Sequence, residues 1–146
     1  MITLRPITYE DRQLFKASSY EALEEASLDR MISQSVAKEH NGQYFEVLAV
    51  LDSGICVGFL NLYSHSKSEV SCGPEIKPQY RRRGFAYAAQ LQALDYAKRL
   101  GFKKAVAQVR KDNAASIALH RKLGFSLCNA FINQKGQPVY WFEKWL

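Results

Sequence analysis

Between Glu75 and Leu100 the chain reads EIKPQYRRRGFAYAAQLQALDYAKRL, and few folds accommodate that succession. An extended segment meets Pro78, which cannot donate to a β-ladder, so the strand ends there. Gly84 lets the backbone approach a ligand where a Cβ would obstruct. The long amphipathic helix that follows points its free N–H groups and positive dipole end back at the turn, which makes an anion site. With Arg81, Arg82 and Arg83 on the same turn, the expected anion is a phosphate or pyrophosphate. In an arbitrary protein three arginines before a helix are more often a solvated basic face. Strand, proline, glycine-containing turn and helix in direct succession favour the anion site. Neither G-x-x-x-x-G-K-[ST] nor G-x-G-x-x-G occurs, since Gly84 stands alone.

The rest of the chain builds around this stretch. Ile2 to Ile7 alternates as a first strand. Thr8 is a helix N-cap with acids in the first turn, and that helix is expected to carry Leu14, Phe15 and Ala17 inward. The pattern through SSYEALEEAS is less clear and reads as a solvated acidic face. A second helix is expected from Leu28 to about His40, stopped by Asn41-Gly42. A hairpin follows: Phe45 to Leu51, a turn at Asp52-Ser53-Gly54, then Ile55 to Tyr63. Gly58, in mid-strand, marks a bulge or a close approach. His65 falls in the polar loop SHSKS and reads as solvent-exposed. Glu69 to Ile76 is a fourth strand, in which Gly73-Pro74 predicts a bulge.

The helix from about Gly84 to Leu100 is expected to bury Phe85, Ala89, Ala93, Tyr96 and Leu100, with Leu91 and Leu94 off that stripe. Ala105 to Val109 is a fifth strand. Asn113 caps a further helix that ends at Leu123-Gly124-Phe125. Ser126 to Ile132 and Val139 to Trp145 form a final antiparallel pair. Hairpins first and alternating strand and helix later predict an α/β (α+β) chain with a mixed sheet covered on both faces.

Length and charge narrow the function. The 146 residues suit one domain. No apolar run approaches a membrane span and no signal-peptide pattern is present, so a cytoplasmic protein is expected. Three cysteines, Cys56, Cys72 and Cys128, lack metal-ligand spacing, which fits a reduced compartment. Residues 1–66 hold five Lys/Arg against nine Asp/Glu, whereas 67–146 hold fifteen against five. The basic half predicts a polyanionic partner, for which nucleic acid and coenzyme A both qualify. The acidic half is consistent with a cationic substrate.

Two blocks carry a family resemblance. Arg81-x-x-Gly84-x-Ala86, preceded by Ile76-x-Pro78-x-Tyr80, resembles the acetyl-CoA signature [QR]-x-x-G-x-[GA] of the GNAT superfamily of N-acetyltransferases. Asn113-Ala-Ala-Ser116-Ile-Ala-Leu-His120-Arg-Lys-Leu-Gly124-Phe125 resembles the family's N-x-x-[AS]-x-x-[LF]-Y-x-x-x-G-F. The resemblance implies the GNAT fold, a mixed and mostly antiparallel sheet of six to seven strands whose central pair splays to admit the pantetheine arm. It implies that the backbone of Pro74, Glu75 and Ile76 pairs with pantetheine. The turn amides from Arg82 through Gly84, Phe85 and Ala86 to Tyr87 would cradle the pyrophosphate, with charge-assisted contacts from Arg81, Arg82 or Arg83. Asn113 matches a pantetheine-contacting position, compatible with its role as a cap, and Ser116 belongs to the same cofactor-binding block.

Acetyl transfer also needs a neutral amine, and a lysine-like amine with a pKa of ~10.4 is protonated at neutral pH. Glu75, on the splaying strand, is the candidate base; a surface carboxylate or a capping partner is the alternative. In relatives that acetylate protein N-termini a glutamate often lies on the fifth strand; here that position is Gln108. The thiolate needs a proton, and where relatives place a tyrosine this chain has His120, whose imidazole has an unperturbed pKa of ~6.5. The reading is therefore an acetyl-CoA-dependent N-acetyltransferase acting on a small amine, a peptide or a protein amine, with acetyl-CoA as cosubstrate and no metal. The alternatives are an acyl-CoA-binding GNAT-fold protein without turnover and a basic nucleic-acid-binding module. The second lacks a recognisable reading helix or aromatic-laced basic sheet. The aromatic segment Val139-Tyr-Trp-Phe is either a core strand or a homodimer surface.

Overall fold

A computed structural model describes all residues, 1–146. Seven strands form one sheet: β1 (Ile2–Pro6), β2 (Phe45–Asp52), β3 (Ile55–Ser64), β4 (Glu69–Ile76), β5 (Lys104–Arg110), β6 (Ser126–Ile132) and β7 (Pro138–Trp145). Their order is β1-β2-β3-β4-β5-β7-β6. Every pairing is antiparallel except β4 with β5. The helices are α1 (Glu25–Ala37), α2 (Phe85–Arg99) and α3 (Ala114–Lys122). This is the mixed, mostly antiparallel sheet of six to seven strands that the resemblance implies, and its one parallel pair is β4 with β5.

Two cores cover the two faces. One packs Ala89, Ala93, Leu94 and Ala97 of α2 onto Leu48, Leu60, Val70, Cys72 and Ile76, and Phe142 joins it from β7. The other gathers Phe15, Ile32, Val47, Ala49 and Phe59 beneath α1. In it the Phe15 and Phe59 rings stack at 4.1 Å, with Tyr20 set edge-on to both. Aromatic pairs of this geometry add about 0.5–1.5 kcal/mol beyond the area they bury.

Gly58 is both a bulge and a close approach. The β2–β3 register slips between Val50 and Leu51, which face Gly58 and Cys56. The extra residue lets Val57 and Leu60 enter one core while Cys56 and Phe59 enter the other. A Cβ on Gly58 would collide with the Glu75 carbonyl oxygen and stand 2.9 Å from the Ile76 Cα.

Several expectations are corrected. The first helix is instead a pair of 3-10 segments, Tyr9–Phe15 and Ser19–Ala22. Thr8 caps as expected, in a reciprocal box with Asp11. However, Ala17 takes a left-handed φ of 58° between the segments and is exposed. The next helix spans Glu25–Ala37 and ends at a left-handed Lys38, short of His40. On α2 the buried stripe is Ala89, Gln90, Ala93, Leu94 and Ala97. Leu100 and Leu91 are exposed, and Leu94 is buried. Three alanines bring the helix axis close to the sheet, and larger side chains flank the contact.

Gly73-Pro74 makes no bulge, because the β3–β4 register runs unbroken from Ser64↔Val70 to Gly58↔Ile76. Val139–Phe142 lies inside the sheet between β5 and β7's other neighbour, β6. The edge at that end of the sheet is therefore β6, and the aromatic strand is a core strand, with Val139 and Phe142 buried.

Candidate active site

The parallel pair defines the site. β4 and β5 pair only at Glu69↔Lys104 and Val70↔Ala105, although both strands continue for several residues. Lys104 clamps the closed end, its Nζ 3.1 Å from Glu69 and 3.2 Å from Glu143. Beyond Val70 the strands part and leave a crotch open toward the end of β4.

The backbone parity of β4 decides what the crotch presents. The Lys77 N–H donates to Val57 O at 2.8 Å and the His65 N–H to Glu69 O at 2.9 Å. With the unbroken register, odd-numbered residues of β4 therefore turn N–H and C=O toward β3, and even-numbered residues turn theirs toward β5. Two observations agree. Cys72 O accepts from Gln90 Nε2 at 3.3 Å, and Ile76 O accepts from Arg81 Nε at 2.9 Å. Pro74, which has no N–H, occupies an even position, where β3 loses nothing. Its carbonyl and the Ile76 N–H face the crotch. The Glu75 backbone faces β3 instead.

At the open end, Arg82 (φ 64°) and Gly84 (φ 78°) are both left-handed. That conformation is what position 84 requires, because a Cβ there would meet nothing within 4 Å. No side chain caps α2, and Ala88 is the first residue whose N–H finds a helix carbonyl, Gly84 O at 3.2 Å. The N–H groups of Phe85, Ala86 and Tyr87 are left without acceptors. Arg81, Arg82 and Arg83 are exposed and none pairs with a carboxylate. Arg83 lies 5.7 Å from the Tyr80 ring centroid, and Lys122 reaches across from α3 to 4.1 Å from that of Tyr87. Unpaired donors, unpaired cations and free space fit a diphosphate.

Glu75 projects from an odd position onto the face of Phe59, its register partner. Ser19 holds both carboxylate oxygens: its N–H donates to Oε1 at 2.8 Å and its hydroxyl to Oε2. The carboxylate thereby sits at the first turn of the Ser19–Ala22 segment. Tyr20 beside it has its phenol pushed up to about 12, first by burial and then by the Glu75 charge. The Asn61 amide lies 3.5 Å from the Tyr20 hydroxyl.

His120 is 6% exposed, between the Phe125 ring edge-on at 5.0 Å and the Phe142 ring at 5.8 Å. Its Nδ1 lies 2.8 Å from Ser116 O, a carbonyl that only accepts, so Nδ1 carries the proton. Burial holds its pKa below the ordinary imidazole value, with the Ser116 bond opposing. The neutral ring therefore has a lone pair at Nε2, which makes it a proton acceptor before it can be a donor. Asn113 caps α3 through its side chain, accepting from the Ser116 N–H at 3.1 Å. Gln108 lies opposite Trp141 on β7 and lines a polar cavity of about 280 Å³ with Asn133, Gln134, Lys135 and Gln137.

Sequence reasoning missed three features. Ser19, which ties the Ser19–Ala22 segment to β4, lay in a stretch read only as acidic. The Ser18-Ser19 pair ahead of Glu21 was the available capping signal, since Ser18 caps that segment. His65 is exposed as expected, but its Nε2 lies 2.6 Å from Ser71 Oγ, a pairing that needs the hairpin register. Gln90, on the buried face of α2, broke an otherwise apolar stripe.

Comparison with known proteins agrees with this geometry. No curated protein matches the chain in sequence. Among solved structures, spermidine N-acetyltransferase from Vibrio cholerae, in complex with CoA and spermine, superposes with a TM-score of 0.73 at 20% identity, covering 99% of this chain and 95% of that one. YncA from Salmonella typhimurium, a putative acetyltransferase with acetyl-CoA, gives a TM-score of 0.76 at 18% identity, covering 99% and 93%. The ribosomal-protein-S18-alanine N-acetyltransferase from Escherichia coli gives 0.68 at 17% identity, covering 99% and 94%. At such identities these likenesses show the fold. The model of the acetyltransferase (GNAT) domain matches residues 1–126, and the chain therefore belongs to the GNAT family of acetyltransferases.

Proposed function

We propose that this chain, acting as one domain in the cytoplasm, transfers the acetyl group of acetyl-CoA directly to a primary amine of a small molecule, peptide or protein. The observation that carries the reading is the crotch itself. A strand that opens after Val70↔Ala105 leads to a turn whose helix N–H groups have no acceptor. The Pro74 carbonyl and the Ile76 N–H would pair with the pantetheine arm. The N–H groups from Arg82 to Tyr87 would hold the pyrophosphate, Arg81, Arg82 and Arg83 would supply charge, and Asn113 and Ser116 would flank the arm from α3.

In the transfer the amine nitrogen attacks the thioester carbonyl carbon, a C–N bond forms, the C–S bond breaks, and the electron pair leaves with sulfur. Holding both reactants makes the step effectively intramolecular. Glu75 takes the ammonium proton, directly or through water, using the lone pairs that Ser19 leaves free. Once the C–N bond has formed, the nitrogen sheds its second proton to His120 Nε2, and His120 passes that proton to the departing thiolate. The thioester is already an activated acyl donor, so the proposed chemistry calls on no metal.

A second reading, acyl-CoA binding without turnover, is favoured by two observations: both Glu75 oxygens are engaged by Ser19 and His120 is buried in a committed tautomer. Thermal unfolding with acetyl-CoA, repeated at moderate salt, tests both. Ligand at a hundredfold over its Kd stabilises by about 2.7 kcal/mol. A salt-resistant shift, followed by thiol release with one member of an amine panel, is the expected result. A shift with no release across polyamines, lysine peptides and N-terminal peptides gives the second reading, and no shift refutes both. A collapse of binding between low and moderate salt would point instead to a polyanion held by surface charge.

A further inference from the structure

Residues 76–94, which build the arginine turn and most of α2, contain no Asp or Glu, and neither do residues 113–142, which run from the cap of α3 into β7. The two acid-free stretches meet beside the free end of α2. Lys122, in the last turn of α3, places its Nζ 4.1 Å from the ring centroid of Tyr87, the third residue of α2. The lysine is exposed. On the sheet a bridging lysine is neutralised, for Lys104 shares its Nζ between Glu69 and Glu143. Lys122 has only the ring, whose face attracts the ammonium and guides its stem while leaving the charge unpaired.

Charge separates the two phosphate groups of coenzyme A. The diphosphate bears a single charge on each phosphate, and the turn offers it the N–H groups of Phe85, Ala86 and Tyr87 with Arg82 and Arg83. Arg81 is tied by its Nε to the Ile76 carbonyl at 2.9 Å. The 3′-phosphate is a monoester and carries about 1.5–2 negative charges near pH 7. It hangs from the ribose, beyond the diphosphate as seen from the pantetheine arm, so the amides that hold the diphosphate are already occupied. A group so placed calls for a cation on a long stem from a neighbouring element. Arg83 stays on the turn itself, 5.7 Å from the Tyr80 ring centroid, whereas Lys122 comes to α2 from outside it.

We propose that Lys122 is a cofactor-specificity residue: its ammonium pairs with the ribose 3′-phosphate and makes the chain discriminate acetyl-CoA from the form that lacks this group. This rests on the acetyl-CoA reading and adds a contact from α3 to a cradle built on the β4–α2 turn. Lysine suits the role. Its compact charge on a flexible stem follows a monoester that rotates freely, where a planar guanidinium favours one bidentate geometry.

Titration calorimetry on the full chain tests it, with acetyl-CoA and acetyl-3′-dephospho-CoA as ligands and wild type, Lys122→Met and Arg82→Gln as proteins. Wild type should bind the dephospho ligand about tenfold more weakly, as for one hydrogen bond to a charged group. Lys122→Met should lose the same factor for acetyl-CoA and nothing for the dephospho ligand. Arg82→Gln, in the diphosphate cradle, should weaken both ligands alike. Added salt should narrow the gap between the ligands on wild type. A Lys122→Met loss shared by both ligands would put the lysine on the diphosphate and overturn the proposal. An Arg82→Gln loss confined to acetyl-CoA would give the 3′-phosphate to the turn and overturn it too. Equal affinity of wild type for the two ligands removes Lys122 from this role whether or not the variants fold, and leaves the acetyl-CoA reading standing. Failure of wild type to bind either ligand overturns that reading as well.

Discussion

Replacing Gly58 by alanine places one methyl group where the fold has no room. Its Cβ would run into the Glu75 carbonyl oxygen, lie 2.9 Å from the Ile76 Cα and 3.1 Å from the Glu75 carbonyl carbon. All three are backbone atoms of β4, so relief requires moving the strand. Overpacking of this kind costs about 1–3 kcal/mol. The reduced freedom of the unfolded alanine chain returns about 0.4–1 kcal/mol. The net loss is then about 1–2 kcal/mol, a fall of roughly 3–8 °C in Tm for a chain of this size.

The displaced residues matter more than the stability. Ile76 carries the N–H that faces the crotch, and Glu75 is the proposed base, so the Kd for acetyl-CoA should rise about tenfold. Gly54→Ala is the control. Gly54 has a positive φ, 88°, but nothing lies within 4 Å of its added Cβ, and its turn lies beyond the last β3–β4 pair, Gly58↔Ile76. It should lose about 1 kcal/mol through backbone strain alone and keep its affinity. Scanning calorimetry and a binding titration read both. Gly58→Ala at wild-type Tm and affinity would refute the close approach. An equal loss of affinity in Gly54→Ala would refute the link between β4 and the cofactor.

Three further perturbations follow. Glu75→Gln should lower kcat by about a hundredfold or more, as for loss of a general base, while the acetyl-CoA Kd stays within twofold; steady-state kinetics with calorimetry checks it, and unchanged kcat removes Glu75 from the chemistry. For His120, burial lowers the folded pKa from 6.5, so the unfolded chain binds more protons just below that value. The stability that neutral His120 supports is complete above about pH 6.5 and is lost as pH falls toward the lower folded value. Denaturant titrations from pH 7 to 5 should show a shallower decline for His120→Phe than for wild type, and identical slopes would contradict the buried neutral ring. Glu46 is 1% exposed, and its Oε1 accepts from the Tyr44 and Tyr96 hydroxyls at 2.6 and 2.7 Å. Tyr96→Phe should therefore cost about 1.5–3 kcal/mol in urea unfolding, as a bond to a charged group does, and a loss under 0.5 kcal/mol would dismiss the bond.

The legible parts of this protein are those where one residue type has one physical use. Pro78 and Gly84 could be read directly, because proline ends a ladder and a glycine takes the left-handed φ that opens α2. Asn113 and Thr8 read as caps for the same reason. The errors fell where tertiary contact overrides local pattern. Residues 9–17 have helical spacing, but the chain turns at left-handed Ala17 and Glu75 reaches from β4 to hold Ser19 at the first turn of a separate 3-10 segment, and local periodicity carries no trace of that partner. Gly73-Pro74 looked disruptive because parity was unknown. The α2 stripe was misplaced by about one residue because alanine, helix-forming but weakly hydrophobic, marks a buried face less clearly than leucine does.

That parity is what makes one strand serve four purposes. On β4 the odd-numbered backbone groups bind β3, and the even-numbered ones are offered to β5 and then to the crotch. The even side chains Val70, Cys72 and Ile76 enter the core beneath α2, while the odd side chains Ser71, Glu75 and Lys77 stand on the opposite face. In the proposed transfer the acyl chain would approach edge-on and an acceptor amine from the face of Glu75, and neither route would cross the core. A slip of one residue would exchange every one of these assignments. It would turn the Cys72 and Ile76 side chains out of the core and set Pro74 where β3 needs a donor, breaking the ladder that holds the crotch in register. Proline at 74 is thus compatible with only one of the two registers, and the register it allows is the one that sets Glu75, the proposed base, on the face opposite α2.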